Sequence, residues 1–345
     1  MSKRADNLSW LALDVGGANL KAADGRGFAT SRPFALWRSP QELAEQLRSL
    51  IEASPPASRL AITMTGELAD CYETKAVGVR AILDAVEAAA AGREVVVYLT
   101  DGTFATADQA RETPILAAAS NWRALAQYAN RFARDWPTLL IDLGSTTADI
   151  IPLSQSGPSP IGFTDTARLV SRELVYTGVQ RTPVNALVGA LPWRGASCPV
   201  AAELFATTLD AYLLLGELAE RPAESDTADG RPRTRAAAHA RMARMICADA
   251  DSFTLAEAEA AARAVRGAQL AQLETAGRAV ASRLPSPPRT LLLSGQGEFL
   301  LRQLVPRLPW KCGVVFLSAE LGDAASRCAP AHALAVLARE AFEKK

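Results

Sequence analysis

The chain has 345 residues, 49% of them hydrophobic and 21% charged, and its 37 Lys+Arg balance its 37 Asp+Glu. That is enough apolar material for two cores and excludes a largely disordered chain, while zero net charge argues against a dedicated nucleic-acid surface. Five scattered cysteines (Cys71, Cys198, Cys247, Cys312, Cys328) form no C-x-x-C pair; with only His239 and His332 beside them they argue against a zinc site and for reduced thiols acting as small buried hydrophobes.

Lys3 and Arg4 precede an apolar run, Trp10–Leu13, that is too short for a signal-peptide core. No stretch reaches the roughly 18 apolar residues of a membrane span, so a cytoplasmic protein is expected. Strands are expected over Trp10–Val15, Ala18–Asp24, Leu60–Met64 and Val95–Thr100, and helices over Pro40–Ala53 and Val77–Ala91, the latter stopped by Gly92. A helix over Ile115–Phe132 leads towards Trp136 and Pro137, where the proline ends it. The strand pattern restarts at Thr138 and runs through a small-residue turn to Leu153, after which SQSGPSP reads as a hairpin connection. Val200–Leu284 is helical in pattern and rich in alanine, broken once by ESDTADGRPRT. LLLSGQGEFLLRQLV then reads as strand, glycine turn and helix, Val314–Leu317 as a strand, and Ala329–Phe342 as a closing amphipathic helix.

Two stretches repeat one phrase. LALDVGGANLKAA (Leu11–Ala23) and LLIDLGSTTADII (Leu139–Ile151) each pass from an apolar strand to an aspartate, one apolar residue, a glycine and small polar residues, then into a second apolar stretch. The separation is too long for a solenoid and suits a duplicated domain: 1–136 and 137–345, the second part carrying a helical insertion at about 165–285. A strand that ends in aspartate before a glycine turn presents a carboxylate and several N–H groups to one cleft. Gly16, Gly17 and Gly144 allow close backbone approach or positive φ, and the N–H groups around them and Asn19 suit phosphate oxygens. Asp14 and Asp142 suit magnesium; Ser145, Thr146 and Thr147 add hydroxyl donors, Lys21 adds a cation, and Gly295 and Gly297 of SGQG form a third element. There is no Walker A motif and no G-x-G-x-x-G.

This layout resembles the actin, sugar-kinase and heat-shock ATPase superfamily: an α/β fold of two ribonuclease-H-like domains with a cleft between them, each supplying one phosphate turn. In that resemblance LALDVGGANLK is the first phosphate element, LIDLGSTTADI the second, and LLLSGQGEF lies where the nucleoside is contacted. TMTGELADCYETKAVGV (Thr63–Val79), ELVYTGVQRTPV (Glu173–Val184) and TADGRPRTRAAAHARMARMICAD (Thr227–Asp249) add a narrower resemblance. It is to the hydantoinase/oxoprolinase-like proteins of tetrahydromethanopterin-linked one-carbon transfer, which include the furan-methanamine synthases of methanofuran biosynthesis.

The narrower resemblance implies a transferase. The phenol oxygen of a tyrosine or tyramine derivative attacks an (aminomethyl)furan-methyl diphosphate, an aryl ether forms, and pyrophosphate leaves. Magnesium on Asp14 or Asp142, with Lys21 and the Ser145–Thr147 amides, would neutralise the leaving group. A phenol with an ordinary pKa of about 10 also needs a base, for which Glu67 is the first candidate and Asp165 the second. Arg181 in QRTP and Arg231 in DGRP read as anion-binding arginines, Arg244 shares a helical face with Arg241 toward the cleft, and Thr65 completes the expected substrate contacts. The structural readings are that Lys75 pairs on the surface with Glu73 or Asp70, that Glu67 and Asp70 cap the next segment, and that His239, Met242 and Met245 pack internally. Magnesium is the expected cofactor, with the use of ATP left open. The expected partners are the two small-molecule substrates, without nucleic acid or membrane, and a homodimer fits the reading. An ATP-dependent small-molecule kinase or ATPase of the same fold, and a non-catalytic nucleotide sensor, are the alternatives.

Overall fold

The computed structural model describes residues 9–343, so Lys3 and Arg4 lie outside the described residues. The first sheet comprises β1 (Trp10–Val15), β2 (Asn19–Ala23), β3 (Ala29–Pro33), β4 (Arg59–Met64), β5 (Glu94–Tyr98) and β6 (Phe104–Thr106), in the order β3-β2-β1-β4-β5-β6. Further on come β7 (Thr138–Leu143), β8 (Ala148–Ser154), β9 (Gly157–Pro158), β10 (Leu174–Val175), β11 (Ala190–Trp193), β12 (Ala196–Pro199), β13 (Thr290–Ser294) and β14 (Gly313–Phe316). The second sheet runs β10-β8-β7-β13-β14, with β9 also on β8, and β11 and β12 form a separate hairpin. In each sheet the opening strand pairs antiparallel with the strand that follows it and parallel with a later one: β1 with β2 and β4, β7 with β8 and β13. Two ribonuclease-H-like domains of one topology result.

The sequences of the central strands explain their place. WLALDV is buried along its whole length and TLLIDL nearly so, as strands covered on both faces require. β3 escapes the hydrophobic pattern because it is a half-exposed edge strand, ATSRP, with no apolar run. The expected helix Ile115–Phe132 is three pieces, Pro114–Ala117, Asn121–Ala129 and a short 3-10 turn Asn130–Phe132. It breaks where Ala118 is extended and Ala119 takes φ +49°.

Two features cut across a division at 136/137. Helix Ala329–Glu343, at the end of the chain, lies on the first sheet: Leu334, Ala335 and Ala338 pack with Trp10, Ala12, Ala61 and Val96. Helix Asn121–Ala129 lies beside it and turns Trp122, Leu125 and Ala126 to Leu140, Ile151 and Leu153 of the second sheet. The expected helical insertion begins only after β10, since Asp165–Ser171 and β10 still serve the sheet, and it contains the β11–β12 hairpin. Helix Leu255–Ala281 serves two cores: Ala258, Ala262 and Val265 pack in the insertion with Met242 and Met245, and Leu270, Leu273 and Val280 pack on the second sheet. Among the described residues no helix is long and apolar enough to cross a membrane.

The docking of the last helix is testable. Leu334 is fully buried against the first sheet. Leu334→Ala is expected to lower the unfolding free energy by about 2–5 kcal/mol, measured in urea. A loss well below that range would mean that the helix contributes little to the first core.

Candidate active site

β1 and β7 each deliver an aspartate at the same step. Asp14 stands opposite Lys21 across the β1–β2 pair, and Asp142 stands opposite Asp149 across β7–β8. Lys21 Nζ donates to Asp14 Oδ2 at 3.3 Å. Burial works against the Lys21 ammonium, but Asp14, Cys328 and Asp142 around it hold its pKa above the ordinary value, so it stays a cation. Asp142 is pushed up to about 7, first by burial and then by the charge of Asp149, with Lys21 opposing and Asp14 adding to the shift. The Asp142 charge therefore feels residues of both domains. Burial also raises Asp149, against the pull of Arg168, whose Nη2 donates to Asp149 Oδ1 at 2.6 Å while its guanidinium stacks 4.1 Å from the Trp122 ring centre. The second repeat thus places an acid where the first places Lys21. Asp149 is a site residue that the sequence reading passed over, although both follow their aspartate at the same interval.

Asp14 Oδ1 and Asp142 Oδ1 are buried and have no hydrogen-bond partner. Two such oxygens suit a magnesium ion, which takes one or two protein carboxylates and completes its shell with substrate phosphate and water. Among the described residues no group of three or more His, Cys, Asp or Glu side chains is gathered to cage a metal.

The two turns share a closure. Gly16 N–H donates to the Asn19 carbonyl at 3.0 Å, and Gly144 N–H to the Thr147 carbonyl at 2.9 Å. Among the described residues the N–H groups of Gly17, Ala18, Ser145 and Thr146 donate to no protein acceptor, whereas the carbonyls of Gly17, Ala18, Gly144 and Ser145 are all taken. Both turns therefore offer donors, as an anion requires. Segment 177–182 fastens the second turn: Val179 N–H reaches the Gly144 carbonyl, and the N–H groups of Gln180 and Arg181 reach that of Ser145. Gly178 is pressed so tightly on the turn that an added Cβ would sit 2.3 Å from Thr146 N. Buried Gln269 holds this segment in turn, its Nε2 donating to Thr177 Oγ1 and the Gly178 carbonyl. Of the close approach or positive φ expected at the paired turns, Gly16 shows the close approach, since a Cβ there would meet the Asn19 carbonyl oxygen at 2.8 Å; positive φ falls on Gly295 at +96°, where a Cβ would meet Asp142 Oδ1 at 2.8 Å. Gly297 N–H donates to the Leu143 carbonyl at 2.9 Å, so SGQG braces the end of β7.

Glu67 follows β4 and is buried, with Oε2 unpartnered. Its carboxyl is pushed up to about 7 by burial and by Asp165, against Lys75. Neither Glu67 nor Asp70 caps the next helix: Thr74 does, its Oγ1 accepting from Val77 N–H. Lys75 does not pair with Glu73 or Asp70 either. Its Nζ meets Asp165 Oδ2 at 2.5 Å, joining helix Lys75–Ala90 of the first domain to helix Asp165–Ser171 of the second. A second bridge lies between Arg181, on the strap formed by segment 177–182, and Trp37 of the first domain, 4.5 Å from guanidinium carbon to ring centre. Thr65 is exposed beside the first turn, its N–H on the Val15 carbonyl.

Arg231 and Arg244 lie in the insertion, both facing Asp229, rather than at the paired turns. Arg241 does not share their role: it is fully buried and ties Asp210 to Asp229. His239 Nε2 meets the Phe253 carbonyl, and Met242 and Met245 are buried. Among the cysteines only Cys328 is fully buried, beside Lys21 and Asp14 electrostatically, while Cys247 is exposed.

Gly178→Ala tests the strap. The added methyl must displace the Ser145–Thr146 backbone, so magnesium-pyrophosphate affinity is expected to fall at least about tenfold by calorimetry, with far-UV circular dichroism unchanged. Unaltered affinity would show that the second turn does not hold the anion.

A profile of the hydantoinase/oxoprolinase family matches residues 59–340. A Methanocaldococcus jannaschii protein, named as the synthase of a furan-2-yl methanamine carrying a 4-(2-(gamma-L-glutamylamino)ethyl)phenoxymethyl group, is 36% identical over 242 residues, 69% of this chain and 72% of its own. A Methanococcus vannielii protein of the same name is 34% identical over 119 residues, 34% of this chain and 53% of its own. Among solved structures, the activator of 2-hydroxyisocaproyl-CoA dehydratase from Clostridium difficile with bound ADPNP aligns over 98% of this chain and 96% of its own at 10% identity and a TM-score of 0.45. Nucleotide-free acetone carboxylase aligns over 92% of this chain and 51% of its own at 14% identity and a TM-score of 0.49. The profile and the first archaeal relative each span most of the chain, and the protein belongs to the hydantoinase/oxoprolinase family.

Proposed function

We propose that the protein makes the aryl ether of a methanofuran-type cofactor, joining an (aminomethyl)furan-methyl diphosphate to the phenol oxygen of a tyrosine or tyramine derivative and releasing pyrophosphate. Kinship with the archaeal synthase is the observation that carries this reading. The name of that relative's product specifies a phenoxymethyl link, an ether between an aryl oxygen and the methylene on a furan.

The residues suit the chemistry step by step. Glu67 takes the phenol proton. The phenolate oxygen then forms the new C–O bond at the furan methylene while the bond from that carbon to the diphosphate oxygen breaks, its electron pair leaving with pyrophosphate. Lys21 and the free N–H groups of the two turns receive that charge. Asp14 and Asp142 would hold magnesium, which when bound adds further neutralisation of the diphosphate. A Glu67 carboxyl near 7 is half ionised at neutral pH, which places it within reach of a phenol that ordinarily titrates near 10. Asp165 is engaged by Lys75, so its part is to raise Glu67 rather than to act as the base. The reading places this work in the cytoplasm, where the five free cysteines stay reduced.

Pyrophosphate release from a furan-methyl diphosphate and a phenol donor, with magnesium, tests the assignment. Glu67→Gln is expected to lower kcat by about 10²–10⁴-fold while leaving diphosphate affinity intact. Because the ionised carboxylate is the active form, the wild-type rate is expected to rise with pH through about 7 and then level off, and Glu67→Gln to lack that rise. Steady conversion of ATP to ADP with no need for a diphosphate substrate would overturn the reading.

A further inference from the structure

Tyr176 is the one tyrosine that the fold leaves unused. Tyr98, Tyr128 and Tyr212 stack on phenylalanines and Tyr72 packs on the first core. Tyr176 is 62% exposed and, among the described residues, no other ring stacks on it. An exposed aromatic adds little to a core, so its meaning lies in what it faces.

The backbone places it at the site. β10 pairs with β8 at Leu174–Asp149 and Val175–Ala148, directly after the Ser145–Thr147 turn. Val175 and Ala148 lie in one core of the second sheet, so Leu174, Asp149 and Asp142 share the opposite face. Strand alternation carries Tyr176 onto that face, diagonal to Asp149 at about 7–8 Å between Cβ atoms, a separation that an aromatic side chain spans. The chain turns sharply there, Thr177 N–H donating to the Val175 carbonyl at 2.7 Å, and two residues on Gly178 is pressed against Ser145 and Thr146. Two residues cover at most about 7 Å, so Tyr176 and the second phosphate turn are neighbours. The base lies on the same side. Arg168 reaches Asp149 from helix Asp165–Ser171, whose Asp165 meets Lys75, and both of those charges act on Glu67.

We infer that Tyr176 is a catalytic residue whose ring lies against the furan of the diphosphate substrate and stabilises the positive charge that grows there as pyrophosphate leaves. The inference rests on the ether-synthase reading and adds to it a residue for the positive half of the transition state. As the bond from the methylene to the diphosphate oxygen lengthens, its electron pair goes to pyrophosphate. The methylene and furan stay electron-poor until the phenolate oxygen closes the new bond. Lys21 and the turn amides answer the negative half of that separation but oppose the positive half. A neutral ring answers the positive half through the negative face of its π system. A furan one methylene away from a diphosphate on Ser145 and Thr146 falls within the span of Tyr176.

The experiment measures pyrophosphate release by wild type, Tyr176→Phe, Tyr176→Leu and Tyr176→Phe proteins with one, two or three fluorines on the new ring. Calorimetry measures binding of magnesium-pyrophosphate and of a furan-methyl diphosphate analogue with carbon in place of the ester oxygen, which cannot ionise. Tyr176→Phe is expected to keep kcat within about threefold, Tyr176→Leu to lower it about thirtyfold, and each added fluorine to lower it further. Magnesium-pyrophosphate affinity is expected to stay at the wild-type value throughout. Wild type is expected to bind the analogue more tightly than pyrophosphate, and Tyr176→Leu to lose that margin. A Tyr176→Leu variant as fast as wild type, a Tyr176→Phe variant as slow as Tyr176→Leu, or a fluorine series without slope overturns the assignment. So does a loss of magnesium-pyrophosphate affinity in Tyr176→Leu, which would mean that the turn itself had moved. If wild type releases no pyrophosphate, the ether-synthase reading falls; the ring contact then stands if the analogue's margin is present and vanishes in Tyr176→Leu, and falls if it does not.

Discussion

Two buried carboxylate oxygens without partners, Asp14 Oδ1 and Asp142 Oδ1, set the terms for the rest of the molecule. Burying an unpaired carboxylate oxygen is costly, and a cation or a ligand in the cleft would offset that cost. The backbone makes the arrangement unavoidable. β1 and β7 are the central strands of their sheets, so an aspartate at the end of either is carried out of the core on rigid, fully bonded chain. Lys21 answers half of Asp14; on the second side Ser294, opposite Asp142 on β13, eases that carboxylate only in part, and the charge of Asp149 works against it. A polyphosphate with its metal would meet both needs, the metal on the carboxylates and the phosphate on the free turn amides.

The remaining architecture keeps the two aspartates in register. The helices Asn121–Ala129 and Ala329–Glu343 lie side by side, one buried on the second sheet and the other on the first, and so tie the domains on one side. Lys75–Asp165 and Arg181–Trp37 tie them again at the site. These ties differ in kind. The helix pair buries leucines and alanines, whereas the bridges at the site are partly exposed and polar and yield more readily to solvent and salt. Substrate entry would therefore act on the bridges and leave the helix pair in place; burial, the main cause of the raised Glu67 proton affinity, does not depend on the Lys75–Asp165 bridge, whose two charges act on Glu67 in opposite senses.

How much of this was legible in the chain depended on the range of each interaction. The paired turns are local, and reading Asp-x-Gly after an apolar run placed β1 without error and put the start of β7 at Thr138. Lys21 opposite Asp14 follows from hairpin geometry alone. Asp149 follows from the same geometry, but inside TTADII it looked like one polar residue in a strand. The Lys75 pairing was misread because its partner, Asp165, lies in another domain, while Glu73 and Asp70 are near in sequence only. The last helix was recognisable as amphipathic, yet amphipathicity names no partner, and its partner is the first strand of the chain. Arg231 was expected to bind an anion and Arg244 to face the cleft, but that both meet Asp229 within the insertion could be seen only in its fold.

The claim that one anion is held jointly by both domains is tested most directly by a double-mutant cycle. Magnesium-pyrophosphate affinity would be measured by calorimetry for wild type, Asp14→Asn, Asp142→Asn and the double variant. The expected result is that each single change weakens binding about tenfold or more, and that the double variant loses clearly less than the sum, because both carboxylates serve one ion. Full additivity, or an Asp142→Asn variant that binds as wild type does, would contradict a shared clamp.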